Sequence, residues 1–307
     1  MTGRVTADPG DGPPPRVVEE LLEEWQLRRD GQPGTTAPGG RGSGRASVLP
    51  VRTSSGAPAA LKVGVAPSQD PEAAQEHLAL RHWDGRGAVR LLRADPRRHA
   101  LLLERLHPED LGDLWDLEAC EVLAGLYGRL HVRAPASLPT LAERLEPRVA
   151  ALTALPRSAP LPRRLVEQAV ALARDLLGNA HAAGTLVHGD LHFGTVLAGD
   201  REPWLAVDPL PSSGDPHFEP APALWTRFEE LVEAPSGLSL RDGLRQRFHA
   251  LVDGARLDED RARDWVVVRA LDRACRRLED PSAAAQRSTP TSTYLTTCIA
   301  IAKAVQD

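Results

Sequence analysis

Cysteine and lysine are both scarce in this chain of 307 residues. The three cysteines, Cys120, Cys275 and Cys298, are odd in number and widely spaced. No C-x-x-C pair occurs, which argues against a disulfide framework and a cysteine zinc site. We therefore expect a reducing, cytoplasmic location. The two lysines are Lys62 and Lys303, so 35 of the 37 basic residues are arginine. A lysine inside a predicted strand, as at Lys62, is therefore unusual in this chain.

Long apolar runs and visible internal repeats are absent as well, and we expect neither a signal peptide nor a membrane anchor. The first 16 residues are rich in proline, glycine and acidic residues, which is unlike a signal peptide or an anchor. No apolar run reaches the length of a membrane span, and no repeat is visible. The net charge of −5 gives no reason to expect nucleic acid as a partner. With 42% apolar residues, the chain can bury a substantial core.

The first third of the chain is typical of a β-rich unit. Apolar alternation and flanking turn residues predict the strands, and spacing of 3.6 residues predicts the helices. In chain order the predictions are a helix at 17–24, strands at 25–29, 46–52 and 59–65, a helix at 72–83, and strands at 89–92 and 100–104.

The rest of the chain is mainly helical in pattern. Leucine- and alanine-rich helices are predicted at 117–131, 138–155 and 161–183, and helices resume after residue 221. The predicted fold class is α+β with two lobes. We expect an N-terminal extension and helix over 1–24, a β-rich lobe with one helix over 25–107, and a helical lobe over 108–307.

Four charged side chains occur in an order that suits phosphoryl transfer. That reaction needs a cation on the phosphates, one or two Mg²⁺ ions and a carboxylate facing the attacking hydroxyl. Lys62 lies in the third predicted strand, where Glu76, or Glu72 one turn earlier, is placed to pair with it. Asp190 lies in a loop and is the candidate catalytic carboxylate, and Asp208 ends an apolar strand and is the candidate Mg²⁺ ligand. Alone, each is usually structural, but together they predict a phosphotransferase.

Carboxylates are concentrated between residues 200 and 233. Two arginines stand there against eight acidic residues: Asp200, Glu202, Asp208, Asp215, Glu219, Glu229, Glu230 and Glu233. This acidic field suits metal ions and cationic small-molecule substrates, and a solvated acidic surface is the alternative interpretation.

The glycine-rich segment at 31–44 also has two interpretations. It could fold over phosphates, but it contains no clean G-x-G-x-x-G and is longer than a tight phosphate-binding turn. A plain flexible loop is the alternative.

A zinc hydrolase is a further alternative for the loop that contains Asp190. His188, Asp190 and His192 alternate in a way that can supply imidazole and carboxylate ligands to zinc. The other histidines form no second cluster, and a packed His188 that bonds loop backbone is the structural interpretation.

Several segments resemble the aminoglycoside/hydroxyurea antibiotic resistance kinases, in particular the streptomycin 6-phosphotransferases. They include LVHGDLH at 186–192, REPWLAVDP at 201–209, GDP at 214–216 and APALW at 221–225. WDGRGAVRLL at 83–92, LLERL at 102–106 and IAIAKAV at 299–305 are similar as well. The resemblance covers most of the chain from about residue 25 onward.

This resemblance implies a protein-kinase-like fold that binds ATP and Mg²⁺. Adenine would contact hinge backbone from Glu104 to Leu106, and Asp190 would face the acceptor hydroxyl. An aminocyclitol glycoside that carries guanidinium groups would suit the acidic field, through charge-assisted hydrogen bonds to carboxylates. Four carboxylates are expected to bind such a substrate: Asp215, Glu219, Glu229 and Glu230.

Two positions depart from the family. Thr195 stands where an asparagine normally binds the second Mg²⁺, and its hydroxyl can bind Mg²⁺ as in P-loop sites. Glu219 stands where an aspartate normally braces the catalytic loop. Because Lys62, Asp190 and Asp208 are intact, we expect a kinase whose activity is weakened. The alternative is a catalytically impaired kinase-fold protein that binds a nucleotide or a cationic small molecule.

Overall fold

The computed structural model describes residues 15–35, 46–64, 75–179, 183–233, 237–279 and 289–306. Contacts divide the chain into two units. The first comprises Met1–Leu111 and Gly194–Pro211, and the second comprises Gly112–Phe193 and Ser212–Asp307. The sequence predicts one boundary after residue 107, whereas the structure places it after residue 111 and returns Gly194–Pro211 to the first unit.

The elements are numbered in chain order. The strands are β1 (Arg28–Arg29), β2 (Gly34–Thr35), β3 (Ala46–Arg52), β4 (Pro58–Gly64), β5 (Leu91–Asp95), β6 (Ala100–Glu104), β7 (Thr185–Val187), β8 (Val196–Ala198), β9 (Trp204–Ala206) and β10 (Ser212–Gly214). The helices are α1 (Pro15–Glu24), α2 (Glu76–Trp83), α3 (Asp116–Leu130), α4 (Leu141–Ala154), α5 (Arg163–Gly178), α6 (Phe228–Val232), α7 (Leu240–Ala255), α8 (Glu259–Glu279) and α9 (Thr291–Ala304). Among the described residues, short 3₁₀ helices lie at Leu111–Asp113, Phe193–Thr195, Pro216–Phe218 and Ala221–Trp225.

The first unit is built on an antiparallel sheet with strand order β1-β3-β4-β6-β5, and β2 also pairs with β3. Alternate residues of a strand point to one face, so Leu49 and Val51 of β3 are buried with Leu61 of β4. Leu21 and Trp25, at the end of α1, pack into the same core. Trp25 therefore lies in the turn that follows α1 instead of starting a strand, and the predicted strand at 25–29 shortens to β1.

The second unit is mainly helical. Its core gathers side chains from α4, α5, α7, α8 and α9, among them Leu152, Ala169, Trp265 and Ile301. A small antiparallel sheet of β7 and β10 lies beside α4. Thr140 and Glu143 form a capping box that fixes the start of α4, because each side chain accepts a hydrogen bond from the other residue's backbone N–H.

Most predicted elements occur within a few residues of their predicted bounds. The three-residue strands β8 and β10 were not predicted, because apolar alternation cannot be recognised over so few positions. The described part of the predicted helix at 72–83 begins at Glu76. Glu72, the second candidate partner of Lys62, and most of the glycine-rich segment lie outside the described residues. No described helix is both long and apolar enough to span a membrane.

Candidate active site

Lys62 is the centre of a buried charged cluster in the first unit. It lies in the middle of β4, between Leu61 and Val63, and is only 8% exposed. Its Nζ lies 2.6 Å from Oε2 of Glu76 at the start of α2, and 2.6 Å from Oδ1 of Asp208. Burial would lower the pKa of Lys62, but the charges of Asp208 and Glu76 raise it above its ordinary value. The ammonium is therefore charged at neutral pH and held in one orientation.

Asp208 and Thr195 are held near each other by the backbone. The N–H of Val207, the residue before Asp208, donates to the carbonyl of Thr195 at 2.9 Å. Asp208 has a φ of 56°, a left-handed conformation that aspartate tolerates better than most residues. Its side chain keeps 21% exposure, whereas Thr195 is buried.

The oxygen donors in this part of the first unit fit Mg²⁺, the metal that the fold family implies. Mg²⁺ takes hard oxygen ligands, and usually needs only one or two carboxylates because water and phosphate complete its shell. The partly exposed carboxylate of Asp208 and the hydroxyl of Thr195 are donors of this kind. Within the described ranges, no three His, Cys, Asp or Glu residues form a group that could hold a metal alone.

That finding also bears on the zinc alternative. His188, Asp190 and His192 are all described, and they do not form such a group. The backbone N–H of Asp190 instead donates to Nδ1 of His188 at 3.3 Å. The two histidines are buried, and His188 matches the structural interpretation.

The segment predicted as the adenine hinge follows β6. Oε1 of Glu104 accepts hydrogen bonds from the backbone N–H of Arg90 and from Arg201, both at 2.7 Å. The backbone N–H of Glu104 donates to the carbonyl of Arg90. The carboxylate and the backbone N–H of Glu104 are therefore bonded within the protein, and the carboxylate has a structural role. Among the described residues, no hydrogen bond to Leu106 is seen, so its backbone N–H and C=O are not engaged by them.

Arg201 connects several segments of this region. Its structural role could not be predicted from the sequence. Its guanidinium donates to the carbonyls of Gly85 and Ala88 and pairs with Glu104. These contacts join the loop after α2 to the end of β6. A lone arginine in an acidic run carries no signal of such a position.

Asp190 lies in a tightly fixed loop of the second unit. It is 2% exposed and follows Gly189, whose φ of 82° is strained for residues with a side chain. Arg269 of α8 donates to the carbonyl of Gly189 at 2.7 Å. Arg273, one turn further along α8, donates to Oδ1 of Asp190 at 3.1 Å. Neither arginine could be recognised from sequence, because the loop and α8 are some 80 positions apart.

Two of the four predicted substrate carboxylates face donors within the protein and not solvent. Glu219 and Asp215 both have 0% exposure, which corrects the prediction. Oε1 of Glu219 accepts hydrogen bonds from the backbone N–H groups of His188 and Gly189.

Asp215 has an equally internal set of partners. It caps the 3₁₀ helix Pro216–Phe218 by accepting from the backbone N–H of His217. Its Oδ2 accepts from Arg261 at 2.5 Å and from the indole N–H of Trp265 at 2.7 Å. Burial would raise the pKa of Asp215, but hydrogen bonds from the imidazole and backbone N–H of His217 and from Trp265 keep it below its ordinary value. Asp215 therefore stabilises the start of α8 and does not face a ligand.

The other two predicted substrate carboxylates are exposed. Glu229 and Glu230 lie on the short helix α6. Glu230 pairs with Arg227 at 2.7 Å, and Arg227 also donates to the carbonyls of Gly112 and Leu114. Glu229 makes no ion pair with any other described residue. Both side chains can therefore be reached by a cationic substrate.

The chain matches one family model over residues 24–281, that of the aminoglycoside/hydroxyurea antibiotic resistance kinases. The streptomycin 6-kinase of Streptomyces glaucescens is 40% identical over 278 residues, which cover 88% of this chain and 85% of that protein. The hydroxyurea phosphotransferase of Kitasatospora aureofaciens is 41% identical over 283 residues, which cover 88% and 74%.

A solved structure shows the fold. A thermostable aminoglycoside phosphotransferase mutant, in a ternary complex with ADP and hygromycin B, gives a TM-score of 0.57 at 15% identity and covers 94% of this chain and 98% of that one. The fold is thus the predicted α+β, protein-kinase-like fold. The similar curated proteins are named as kinases or phosphotransferases, so the comparisons do not support weakened or lost activity due to Thr195 and Glu219.

Proposed function

The chain belongs to the aminoglycoside/hydroxyurea antibiotic resistance kinase family and is a phosphotransferase, and on this premise we propose that it phosphorylates a hydroxyl of a cationic aminoglycoside such as streptomycin. ATP is the phosphate donor. The observation that carries the proposal is the buried contact of Lys62 with both Glu76 and Asp208. It places a fixed cation beside a partly exposed carboxylate, which is the pairing that phosphate and Mg²⁺ require.

Each residue has a defined task in this mechanism. Glu76 fixes the Lys62 ammonium, which binds the phosphates of ATP, and Leu106 offers backbone groups to adenine. Asp208, with the hydroxyl of Thr195, would hold Mg²⁺, which supplies charge neutralisation on the phosphates when bound. Asp190 accepts a hydrogen bond from the acceptor hydroxyl and orients its oxygen for attack.

Acceptor recognition is proposed for α6. Streptomycin-like aminoglycosides carry guanidinium groups, and Glu229 and Glu230 are exposed carboxylates that can receive them in charge-assisted hydrogen bonds. Because the three cysteines are free and buried, we also propose a reducing, cytoplasmic location, where ATP is available.

Hydroxyurea is the second candidate acceptor, because a relative with 41% identity is named as its phosphotransferase. Hydroxyurea is small and uncharged, so its recognition would not need the carboxylates of α6. The two candidates are therefore separable by the effect of substitutions on that helix.

The direct test is a coupled measurement of ADP release and product mass. Purified protein is incubated with ATP and Mg²⁺ and with streptomycin, other aminoglycosides or hydroxyurea in turn. We expect a mass gain of one phosphate group on an aminoglycoside, and its loss in Asp190→Asn. ADP release that never exceeds the rate without acceptor, across the whole panel, would contradict the proposal.

A further inference from the structure

Three buried arginines occupy successive turns on one face of α8. They share one arrangement, in which the guanidinium stacks on an aromatic ring and donates to a carbonyl or carboxylate of another segment. The pairs and their distances from guanidinium carbon to ring centre are Arg269 over Phe218 at 3.9 Å, Arg273 over Trp225 at 4.5 Å and Arg277 over Tyr294 at 5.4 Å. A planar guanidinium suits this combination of stacking and directed hydrogen bonding, whereas a lysine does not.

The first two arginines hold the catalytic loop at consecutive residues. Arg269 binds the backbone carbonyl of Gly189, and Arg273 binds the carboxylate of Asp190. The third arginine binds a different segment: Arg277 donates to the carbonyl of Thr289, the residue two before α9, at 2.6 Å. Arg273 and Arg277 thus form a matched pair of stacked arginines: Arg273 donates to the loop carboxylate, and Arg277 donates to the segment before α9.

The contact between Arg273 and Asp190 is buried on both sides. The side chain of Arg273 is 9% exposed and that of Asp190 is 2% exposed. A carboxylate in such a position is strongly disfavoured unless a cation or hydrogen-bond donors compensate it. Trp225 covers the guanidinium and restricts its movement. The orientation of Asp190 is therefore set by a side chain that is itself immobilised.

We propose that Arg273 is a positioning residue that fixes the Asp190 carboxylate in the orientation that receives the acceptor hydroxyl. This inference rests on the proposed function for the identity of the reaction. Arg273 acts through Asp190, so its loss affects turnover. It does not affect ATP affinity, which depends on Lys62 and the hinge.

The experiment compares Arg273→Ala with its matched control Arg277→Ala. We expect kcat to fall about 100-fold in Arg273→Ala, the scale that misplacement of a catalytic group produces, while the KM for ATP stays within about threefold. Added guanidinium ion should restore part of kcat in Arg273→Ala and none in Arg277→Ala. Thermal unfolding checks that the two variants lose comparable stability. An equal loss of kcat in both variants would overturn the proposal.

A second readout does not depend on activity. Hydrogen exchange of peptides that span residues 186–195 should be faster in Arg273→Ala than in the wild type, and unchanged in Arg277→Ala. Loop exchange that is unchanged in Arg273→Ala overturns the positioning assignment, whatever the assay shows. If the wild type phosphorylates nothing but the loop still loosens in Arg273→Ala alone, the proposed function fails and the positioning of Asp190 by Arg273 stands.

Discussion

Glu219 accepts a hydrogen bond from the backbone N–H of His188 and so fixes the loop that carries Asp190. The same oxygen accepts from Gly189 at 3.3 Å. Burial would raise the pKa of Glu219, but the imidazole of His131, 3.7 Å away, and the charges of His188 and Arg269 lower it. Glutamate thus performs the bracing that the family resemblance assigns to aspartate at this position, and the longer side chain does not remove that function.

Removal of the Glu219 carboxylate should destabilise the protein and slow the reaction. Glu219→Ala leaves two buried N–H groups without an acceptor, at a cost of about 3 kcal/mol in the free energy of unfolding. Glu219→Gln keeps an acceptor oxygen of the same reach and should lose less. Urea unfolding and kcat measured on the same samples check this order. Equal stability of the alanine and glutamine variants would contradict the bracing.

The lowered pKa of Glu219 also predicts a pH dependence. A carboxylate whose pKa is lower in the folded state contributes stability above its unfolded value of 4.5, and this contribution is lost as the pH falls through the folded pKa. Well above pH 4.5 the carboxylate of Glu219 is ionised in both the folded and the unfolded state, so its own titration adds no pH dependence there. Below pH 4.5 the wild type should lose stability faster than Glu219→Gln. If the stability curves of the wild type and Glu219→Gln stay parallel until the protein unfolds in acid, the pKa of Glu219 is not lowered in the folded state.

The sequence predicted the local features of this molecule well, because they depend on neighbouring residues. Lys62 stands out in a strand, and element order places its partner on the next helix, which left Glu76 and Glu72 as the two candidates. Asp190 and Asp208 could be singled out because a loop and a strand end are recognisable from composition.

Long-range contacts could not be predicted in the same way. Asp215 and Glu219 belong to an acidic run that resembles an exposed surface, yet buried donors on other elements bind them. Arg261 and Trp265, for example, come from α8, some 50 positions away from Asp215. Whether a carboxylate faces solvent or an internal donor depends on such tertiary packing. The pattern of charges along the sequence does not reveal it.

Lys62 should be essential for phosphate binding, and the chain supplies its own control. Lys62→Met removes the cation that we propose for the phosphates, so kcat/KM for ATP should fall by about 100-fold or more. Lys303→Met alters the other lysine, which is exposed on α9, and should leave turnover unchanged. Steady-state kinetics at varied ATP concentration compare the two variants. Equal losses in both would show that the effect is not specific to the Lys62 cluster.

Thr195 should contribute its hydroxyl to Mg²⁺ binding. Thr195→Val conserves shape and removes only the hydroxyl from this buried position, so the Mg²⁺ concentration for half-maximal activity should rise about tenfold. Thr195→Ser keeps the hydroxyl and should resemble the wild type. Metal titrations at saturating ATP measure both. If valine leaves the Mg²⁺ dependence unchanged, Thr195 is not a ligand and Asp208 must hold the ion without it.

The acidic helix α6 should distinguish a cationic acceptor from an uncharged one. In the double variant Glu229→Gln, Glu230→Gln the KM for streptomycin should rise about fivefold, the scale expected when two exposed ion pairs are lost. The wild-type KM for streptomycin should also rise with salt, because exposed charges are screened. Hydroxyurea is uncharged and does not depend on these ion pairs, so activity on hydroxyurea should be the same in the double variant as in the wild type.

A second double variant, Glu146→Gln, Glu167→Gln, tests whether any loss of negative charge has the same effect. Both side chains are exposed and lie on α4 and α5, so this variant changes net charge equally without altering α6. Its KM for streptomycin should match the wild type. If it rises as much as in the α6 variant, the attraction comes from the overall field of the protein. If neither variant changes the KM, the cationic groups are bound elsewhere.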